Sequence, residues 1–235
     1  MLQTIEVADR EAFKERMKSA LQIDPATTVA VTIDMQREYL DEAVGQAVVL
    51  PEEAERVLAS TKRLLDACRD MGIPVVHAYV SRRRAEVDND LHSGGLVYMR
   101  LGQSLNVSQL SHRPPRERPD RVEGSPEAEV PGTLVAPEDI HVTTKKSLDS
   151  FFGTDLDFLL RRTFGAQFLL LAGINTDTCV YSTAFTAANI GYAPVVVSDC
   201  VASMRGVDSH KMALELISRS IGWVLTLEET LAHLS

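Results

Sequence analysis

The sequence predicts an α/β protein in which a mainly parallel sheet lies between two layers of helices, a three-layer Rossmann-like arrangement. Short apolar runs rich in β-branched residues alternate along the chain with longer amphipathic segments. Strands joined in this way form βαβ units, and helices then cover both faces of the sheet. The chain has 235 residues, 45% of them hydrophobic, which is enough for a sizeable core. We therefore expect residues 1–235 to form one domain.

Each predicted element has an apolar pattern of helix or strand period and turn residues at its ends. The predicted helices cover residues 11–21, 51–71, 154–162, 180–189 and 208–221, with a last helix capped by Thr226. The predicted strands cover residues 28–33, 73–80, 139–143, 168–172, 194–198 and 223–225. Residues 81–138 are polar and contain many prolines, so they are predicted as a long loop or lid, and loops of that length are usually functional.

Composition excludes several classes of partner. The formal net charge of −9 argues against bulk binding of nucleic acid or of an anionic membrane. No apolar run approaches the length of a membrane span, and the charged first residues are unlike a signal peptide. The three cysteines, Cys68, Cys179 and Cys200, are odd in number and widely spaced, and there is no CxxC motif. These features favour a reducing compartment, the cytoplasm, without disulfides or structural zinc.

The segment around Cys179 is the strongest chemical signal in the chain. An apolar strand over residues 168–172 leads into the turn Gly173-Ile174-Asn175, and a helix follows the cysteine. Backbone N–H groups at the start of a helix are unpaired and carry partial positive charge. That field is expected to stabilise the thiolate, the nucleophilic form of cysteine. A cysteine in this position is otherwise a small buried apolar residue.

Two further residues are expected at the same edge of the sheet as Cys179. Asp34 and Lys145 each follow a predicted strand, as Cys179 does, and sites in open α/β sheets form beyond the carboxyl ends of the strands. Together they predict a nucleophilic site in which Cys179 attacks a carbonyl group. Asp34 would take the thiol proton and pass it to a leaving amine, and Lys145 would hold the carboxylate.

Three ordered motifs resemble those of the isochorismatase-like cysteine hydrolases. They are residues 31–36 (VTIDMQ), 145–156 (KKSLDSFFGTDL) and 172–180 (AGINTDTCV). The resemblance implies a catalytic triad of Asp34, Lys145 and Cys179. Lys145 is preferred to Lys146 because the family lysine precedes the first aromatic residue of its motif, here Phe151, by six residues.

The same resemblance implies a backbone feature and an oligomeric state. The peptide bond between Ile174 and Asn175 is expected to be cis. This bond would turn the Asn175 N–H towards the substrate, and with the Cys179 N–H it would form an oxyanion hole. Relatives of this kind are usually homodimers or homotetramers.

The expected reaction is hydrolysis of a C–N bond in a small amide, ureido or carbamoyl compound, without a cofactor. Similar nicotinamidases carry an Asp-x-His metal site after the second strand, but residues 77–84 (HAYVSRRR) lack that spacing. No metal is therefore expected, and His77 is interpreted as a core histidine whose hydrogen bonds are satisfied. Two alternatives remain open: an isochorismatase-type vinyl ether hydrolase, and a catalytically silent binding protein of the same fold.

Candidate substrate-binding residues come from the polar loop and from the segments that flank the triad. Arginines pair well with carboxylates, so one or more are expected to bind an acid group of the substrate, the alternative being a solvated loop. These arginines are Arg82, Arg83, Arg84, Arg113, Arg116, Arg118 and Arg121. Gln36 is a candidate donor to a substrate carbonyl, and Tyr39, Phe151 and Phe152 are candidate pocket walls. Cys200 is expected to follow a strand and to contribute packing, the alternative being a helper thiol at the carboxyl edge, and Cys68 is expected to be structural.

Overall fold

The structure of the protein is a computed structural model that describes residues 7–89, 96–108, 114 and 117–235. These residues form a six-stranded sheet in which every neighbouring pair is parallel. The strands are β1 (Thr28–Ile33), β2 (Val75–Val80), β3 (Ile140–Lys145), β4 (Phe168–Ile174), β5 (Ala193–Ala202) and β6 (Trp223–Leu225). Helices cover both faces of the sheet, so the predicted fold class is confirmed.

The helices fall into two layers. On one face, α3 and α9 pack with the buried residues of α2, and on the other face α6, α7 and α8 pack together. The helices are α1 (Glu11–Ala20), α2 (Arg37–Leu40), α3 (Pro51–Asp70), α4 (Arg84–Asp88), α5 (Val97–Ser104), α6 (Leu156–Phe158), α7 (Tyr181–Asn189), α8 (Val207–Ser220) and α9 (Leu227–Leu234). Two π-helical turns, Leu159–Thr163 and Thr176–Val180, continue α6 and lead into α7.

Strand β1 illustrates why these sequences form a central strand. All six of its residues are buried, because Val29, Val31 and Ile33 face one apolar cluster while Ala30 faces the other. A strand covered on both faces has no polar side, so its sequence is a continuous run rich in β-branched residues rather than an alternation of apolar and polar residues.

The strand order is β3-β2-β1-β4-β5-β6, which reverses direction between β1 and β4. In a doubly wound sheet, the connections on either side of this point leave in opposite directions and open a crevice beyond the carboxyl ends of the strands. Asp34 follows β1, and the turn Thr176–Val180 follows β4. The topology therefore brings the two segments that hold Asp34 and Cys179 to one crevice.

Several elements differ from their predicted bounds, and three of the differences affect the site or a cysteine. Residues 81–138, predicted as a loop, contain the short helices α4 and α5, and Lys145 is the last residue of β3 rather than a residue beyond it. Strand β5 continues past Ser198, where the prediction ended it, because a register shift between β4 and β5 accommodates the polar residues there. Cys200 consequently lies inside β5 rather than after it. It is fully buried, as is Cys68, which confirms that both thiols contribute packing.

No helix among the described residues is long and apolar enough to cross a membrane.

Replacing Gly173 with alanine is expected to destabilise the fold strongly. A Cβ atom at this position would lie 2.2 Å from the carbonyl oxygen of Ile33, and the backbone φ of +148° is one that L side chains rarely adopt. Overpacking against a fixed strand costs about 1–3 kcal/mol, so we expect the free energy of unfolding to fall by at least about 2 kcal/mol. Chemical denaturation measures the change. Gly132→Ala is the control, because a Cβ there meets nothing within 4 Å, and equal midpoints for the two variants would contradict the prediction.

Candidate active site

The structure brings Asp34, Lys145 and Cys179 together at the carboxyl edge of the sheet. The Lys145 ammonium donates a hydrogen bond to Oδ2 of Asp34 at 2.6 Å, and both side chains are fully buried. The Cys179 thiol is hydrogen-bonded to the same carboxylate. One carboxylate therefore contacts both the ammonium group and the thiol, as the sequence predicted.

The second oxygen of Asp34 is also held in place. Oδ1 accepts a hydrogen bond from the Val80 N–H at 2.9 Å, and Nη1 of Arg121 lies 3.8 Å from it. Asp34 itself has φ of +48°, in the left-handed region that non-glycine residues seldom occupy. A strained backbone and contacts to both oxygens fix the direction in which this carboxylate points.

The two adjacent lysines have separate environments. Lys146 donates to the carbonyl of Ser81 and to Glu86, the latter at 2.9 Å, and its side chain is 29% exposed. Lys145 is fully buried against Asp34. The structure therefore supports the choice of Lys145 over Lys146 as the lysine of the site.

Burial raises the pKa of the Cys179 thiol to about 11. The negative charge of Asp34 also raises this pKa, while the positive charges of Lys145 and Arg121 lower it. The expectation that the helix start would stabilise a thiolate is therefore wrong for the resting site, because desolvation is the largest influence on this pKa. The thiol is protonated at neutral pH, and Asp34 is its carboxylate partner.

Hydrogen bonds to the residues that follow β5 fix the segment that carries Cys179. The peptide bond between Ile174 and Asn175 is cis, as the resemblance implied. The side-chain oxygen of Asn175 accepts a hydrogen bond from the Met204 N–H at 2.8 Å. Asp177 accepts one from the Ser203 hydroxyl at 2.7 Å. These contacts tie the nucleophile turn to the residues that follow β5.

Gln36 has a different role from the one predicted. Both donations of its amide nitrogen go to backbone carbonyls, to Val80 at 2.9 Å and to Ala128 at 2.6 Å. No amide hydrogen remains for a substrate carbonyl, so that assignment is corrected. The amide oxygen of Gln36 lies 3.4 Å from Nη1 of Arg121, and the ring of Tyr39 lies 5.1 Å below the same guanidinium group. Gln36 and Tyr39 therefore support Arg121.

The arginines of the polar segment divide by burial. Arg82 and Arg121 are buried, and both pair with the carboxylate of Asp120. Arg84 is 75% exposed and pairs only loosely with Asp88 on the same helix, so its assignment to the substrate site is corrected to a solvated surface residue. Arg83 and Arg118 are also exposed, and Arg113 and Arg116 lie outside the described residues.

The two phenylalanines have different environments. Phe151 stacks on Tyr192 with ring centroids 5.9 Å apart, and it packs against the cluster that includes α6, α7 and Cys179. Phe152 is 73% exposed. The assignment of Phe152 to the pocket wall is therefore corrected to a residue that faces solvent, and the assignment of Phe151 stays a prediction.

Arg121 is the residue of the site that the sequence could not single out. It was one of the seven loop arginines named as candidates, and no local pattern marks its left-handed backbone, with φ of +50°. The structure holds it by a parallel bridge between Arg82 and Val122, in which the Arg82 N–H donates to the Arg121 carbonyl at 2.9 Å. What distinguishes Arg121 from the other arginines is therefore a tertiary contact, which the sequence pattern does not contain.

His77 is a core histidine, as predicted. It is fully buried, and its ring nitrogens contact the hydroxyl of Thr32 at 2.7 Å and the carboxylate of Asp139 at 3.0 Å. Burial lowers its pKa, with the nearby Asp139 opposing that shift. Within the described ranges, no group of three or more His, Cys, Asp or Glu side chains is arranged to hold a metal ion.

A doubly wound parallel sheet with a thiol, a carboxylate and a lysine at its switch point is typical of hydrolytic enzymes of the α/β class. The family model for the isochorismatase domain matches residues 28–229, and the chain belongs to this family of hydrolases.

Three similar proteins illustrate the range of the family. Ureidoacrylate amidohydrolase RutB from Rhizobium rhizogenes is 25% identical over 245 residues, covering 100% of this chain and 97% of that protein. The structure of an isochorismatase family protein from Burkholderia thailandensis is 30% identical, with a TM-score of 0.65 and coverage of 91% and 97%. Nicotinamidase/pyrazinamidase PncA from Bacillus subtilis is 27% identical, with a TM-score of 0.65 and coverage of 85% and 99%.

The pH dependence of Cys179 alkylation should shift to lower pH in Asp34→Asn. The wild-type rate with iodoacetamide is expected to rise steadily as the pH approaches the thiol pKa of about 11. Removing the carboxylate leaves Lys145 and Arg121 facing the thiol, and both lower its pKa. Mass spectrometry of the Cys179 peptide over a pH series measures the rate.

Two controls keep the alkylation result specific. Asp66→Asn removes a half-exposed carboxylate of α3 and should leave the profile unchanged. Burial raises the pKa of Cys68 and of Cys200 to about 12, so slow labelling of both reports that a variant is folded. An unchanged or upward-shifted profile in folded Asp34→Asn would contradict the electrostatic account.

Proposed function

We propose that this protein hydrolyses a C–N bond of a small amide, ureido or carbamoyl compound through a thioester on Cys179. The observation that carries the proposal is the single buried carboxylate of Asp34 shared by the Cys179 thiol and the Lys145 ammonium. A protonated thiol beside a fixed carboxylate has a base within reach, which is the requirement for an activated nucleophile. Ureidoacrylate amidohydrolase and nicotinamidase among the similar proteins support this class of reaction.

In the first half-reaction, Asp34 takes the thiol proton while sulfur attacks the carbonyl carbon of the substrate. The carbonyl oxygen becomes an oxyanion, and we assign the N–H groups of Asn175 and Cys179 to stabilise it. Collapse of the tetrahedral intermediate breaks the C–N bond, and Asp34 returns its proton to the leaving nitrogen. The products are a Cys179 thioester and a free amine or ammonia.

In the second half-reaction, Asp34 takes a proton from a water molecule that attacks the thioester carbonyl. The C–S bond breaks, the sulfur regains its proton from Asp34, and the acid leaves. Lys145 holds Oδ2 of Asp34 and offsets negative charge near sulfur. No cofactor takes part in these steps.

An ammonia-release screen over amides, ureas and carbamoyl acids tests the proposal. Cys179→Ser and Asp34→Asn should each lower the rate of release by at least about 10²-fold, since each removes a group that acts in the chemical step. Cys68→Ala is the matched control, because it removes another buried thiol that lies outside the site.

Each rival has its own outcome. Ammonia release that survives Cys179→Ala would exclude the thioester route, whereas hydrolysis of a vinyl ether that survives the same substitution would favour the vinyl ether hydrolase. Absence of both ammonia and amine release from every compound would contradict C–N hydrolysis and favour a catalytically silent binding protein.

A further inference from the structure

We propose that Arg82, Asp120 and Arg121 form a subsite that binds the carboxylate of an anionic substrate beside the triad. We refer to these three residues as the arginine subsite. The inference rests on the proposed function for its place in the reaction, and it narrows the substrate class to compounds that carry an acid group.

The first argument is the charge balance at the catalytic carboxylate. Among the described residues, the carboxylates within ion-pairing distance of the cations of Lys145, Arg121 and Arg82 are those of Asp34 and Asp120. All five side chains are buried. Buried charge of one sign is costly unless it is paired, so this cluster favours one additional anion.

The second argument is the supply of hydrogen-bond donors. Arg121 donates from Nε and Nη2 to Asp120 at 2.7 and 2.8 Å. Among the residues that the structure describes, its Nη1 makes long contacts to Gln36, at 3.4 Å, and to Asp34, at 3.8 Å. Arg82 reaches Asp120 through Nη2 at 3.3 Å, and its buried Nε has no hydrogen-bond partner in the described part of the chain. A planar guanidinium with free N–H groups matches the two oxygens of a carboxylate.

The third argument is position and rigidity. Arg82 follows the carboxyl end of β2, and Arg121 lies across the parallel bridge from it, so both reach the edge where Asp34 stands. Asp34 and Arg121 both have left-handed backbones, with φ of +48° and +50°, and their side chains approach to 3.8 Å. Such conformations cost of order 1 kcal/mol or more and are retained where the surrounding structure fixes them. The arginine subsite is therefore held in place before any ligand arrives.

Alkylation of Cys179 by two similar reagents tests the arginine subsite without requiring turnover. Iodoacetate carries a carboxylate and iodoacetamide is neutral, and both transfer a carbon to sulfur with loss of iodide. We expect the rate ratio of iodoacetate to iodoacetamide to be roughly tenfold higher in the folded protein than in the urea-unfolded chain. A factor of about ten corresponds to the smaller end of the free energy that a hydrogen bond to a charged group contributes. The rate should also saturate with iodoacetate concentration.

Variants of Arg82 locate the effect. Arg82→Met should reduce the rate ratio of iodoacetate to iodoacetamide towards its value in the unfolded chain, and Arg82→Lys, which keeps the charge without the fork, should give an intermediate ratio. Arg84→Met is the matched control, because Arg84 lies two residues away and is solvated. The ratio compares two reagents on one protein, so a general change in thiol reactivity cancels. Slow labelling of Cys68 and Cys200 confirms folding.

Two results would overturn the arginine subsite: a folded wild-type ratio equal to that of the unfolded chain, or a wild-type ratio that Arg82→Met leaves unchanged. Neither result depends on ammonia release, so failure of this inference and failure of the proposed function are distinguishable. A preference for iodoacetate in a protein that releases no ammonia would keep the arginine subsite and reject the hydrolase.

Discussion

The buried ion pair between Lys145 and Asp34 is the interaction on which the rest of the site depends. It joins the end of β3 to the end of β1, and the Val80 N–H adds the end of β2 to the same carboxylate. Desolvating two charges costs several kcal/mol per ion, and the pair repays that cost only because the remaining atoms of Asp34 are also satisfied. Removing Asp34 would leave the Lys145 ammonium buried without its carboxylate, and removing Lys145 would leave Asp34 with the longer contact to Arg121. The pair therefore fixes three strand ends relative to one another.

The strand order explains why this pair lies beside the thiol. Because the order reverses between β1 and β4, the segments after these two strands leave in opposite directions and border one crevice. Asp34 and the Thr176–Val180 turn occupy its two sides, and Gly173 lets the two strands approach closely at that point. Residues more than one hundred positions apart in the sequence therefore meet at one crevice.

The sequence predicted those elements whose residue pattern is set by burial. It did not predict features that depend on tertiary contacts. Strands β1 and β6 were predicted residue for residue, since a strand covered on both faces must be apolar. Arg121 was not distinguished, because its environment is created by Asp120, Gln36 and Asp34 only after folding. The predicted direction of the Cys179 pKa shift was also wrong. The prediction used only the local position of the cysteine at the start of a helix, whereas desolvation depends on all the groups packed around the sulfur.

The raised pKa of Cys179 is consistent with the charges around it. In the proposed reaction, moving the thiol proton to Asp34 converts one buried anion into another without changing the total charge of the site. Lys145 and Arg121 face both the carboxylate and the sulfur, so they stabilise the negative charge before and after the transfer. A permanent thiolate would instead place two anions against the same cations. A protonated thiol next to a carboxylate base is therefore the resting arrangement that this buried set of charges favours.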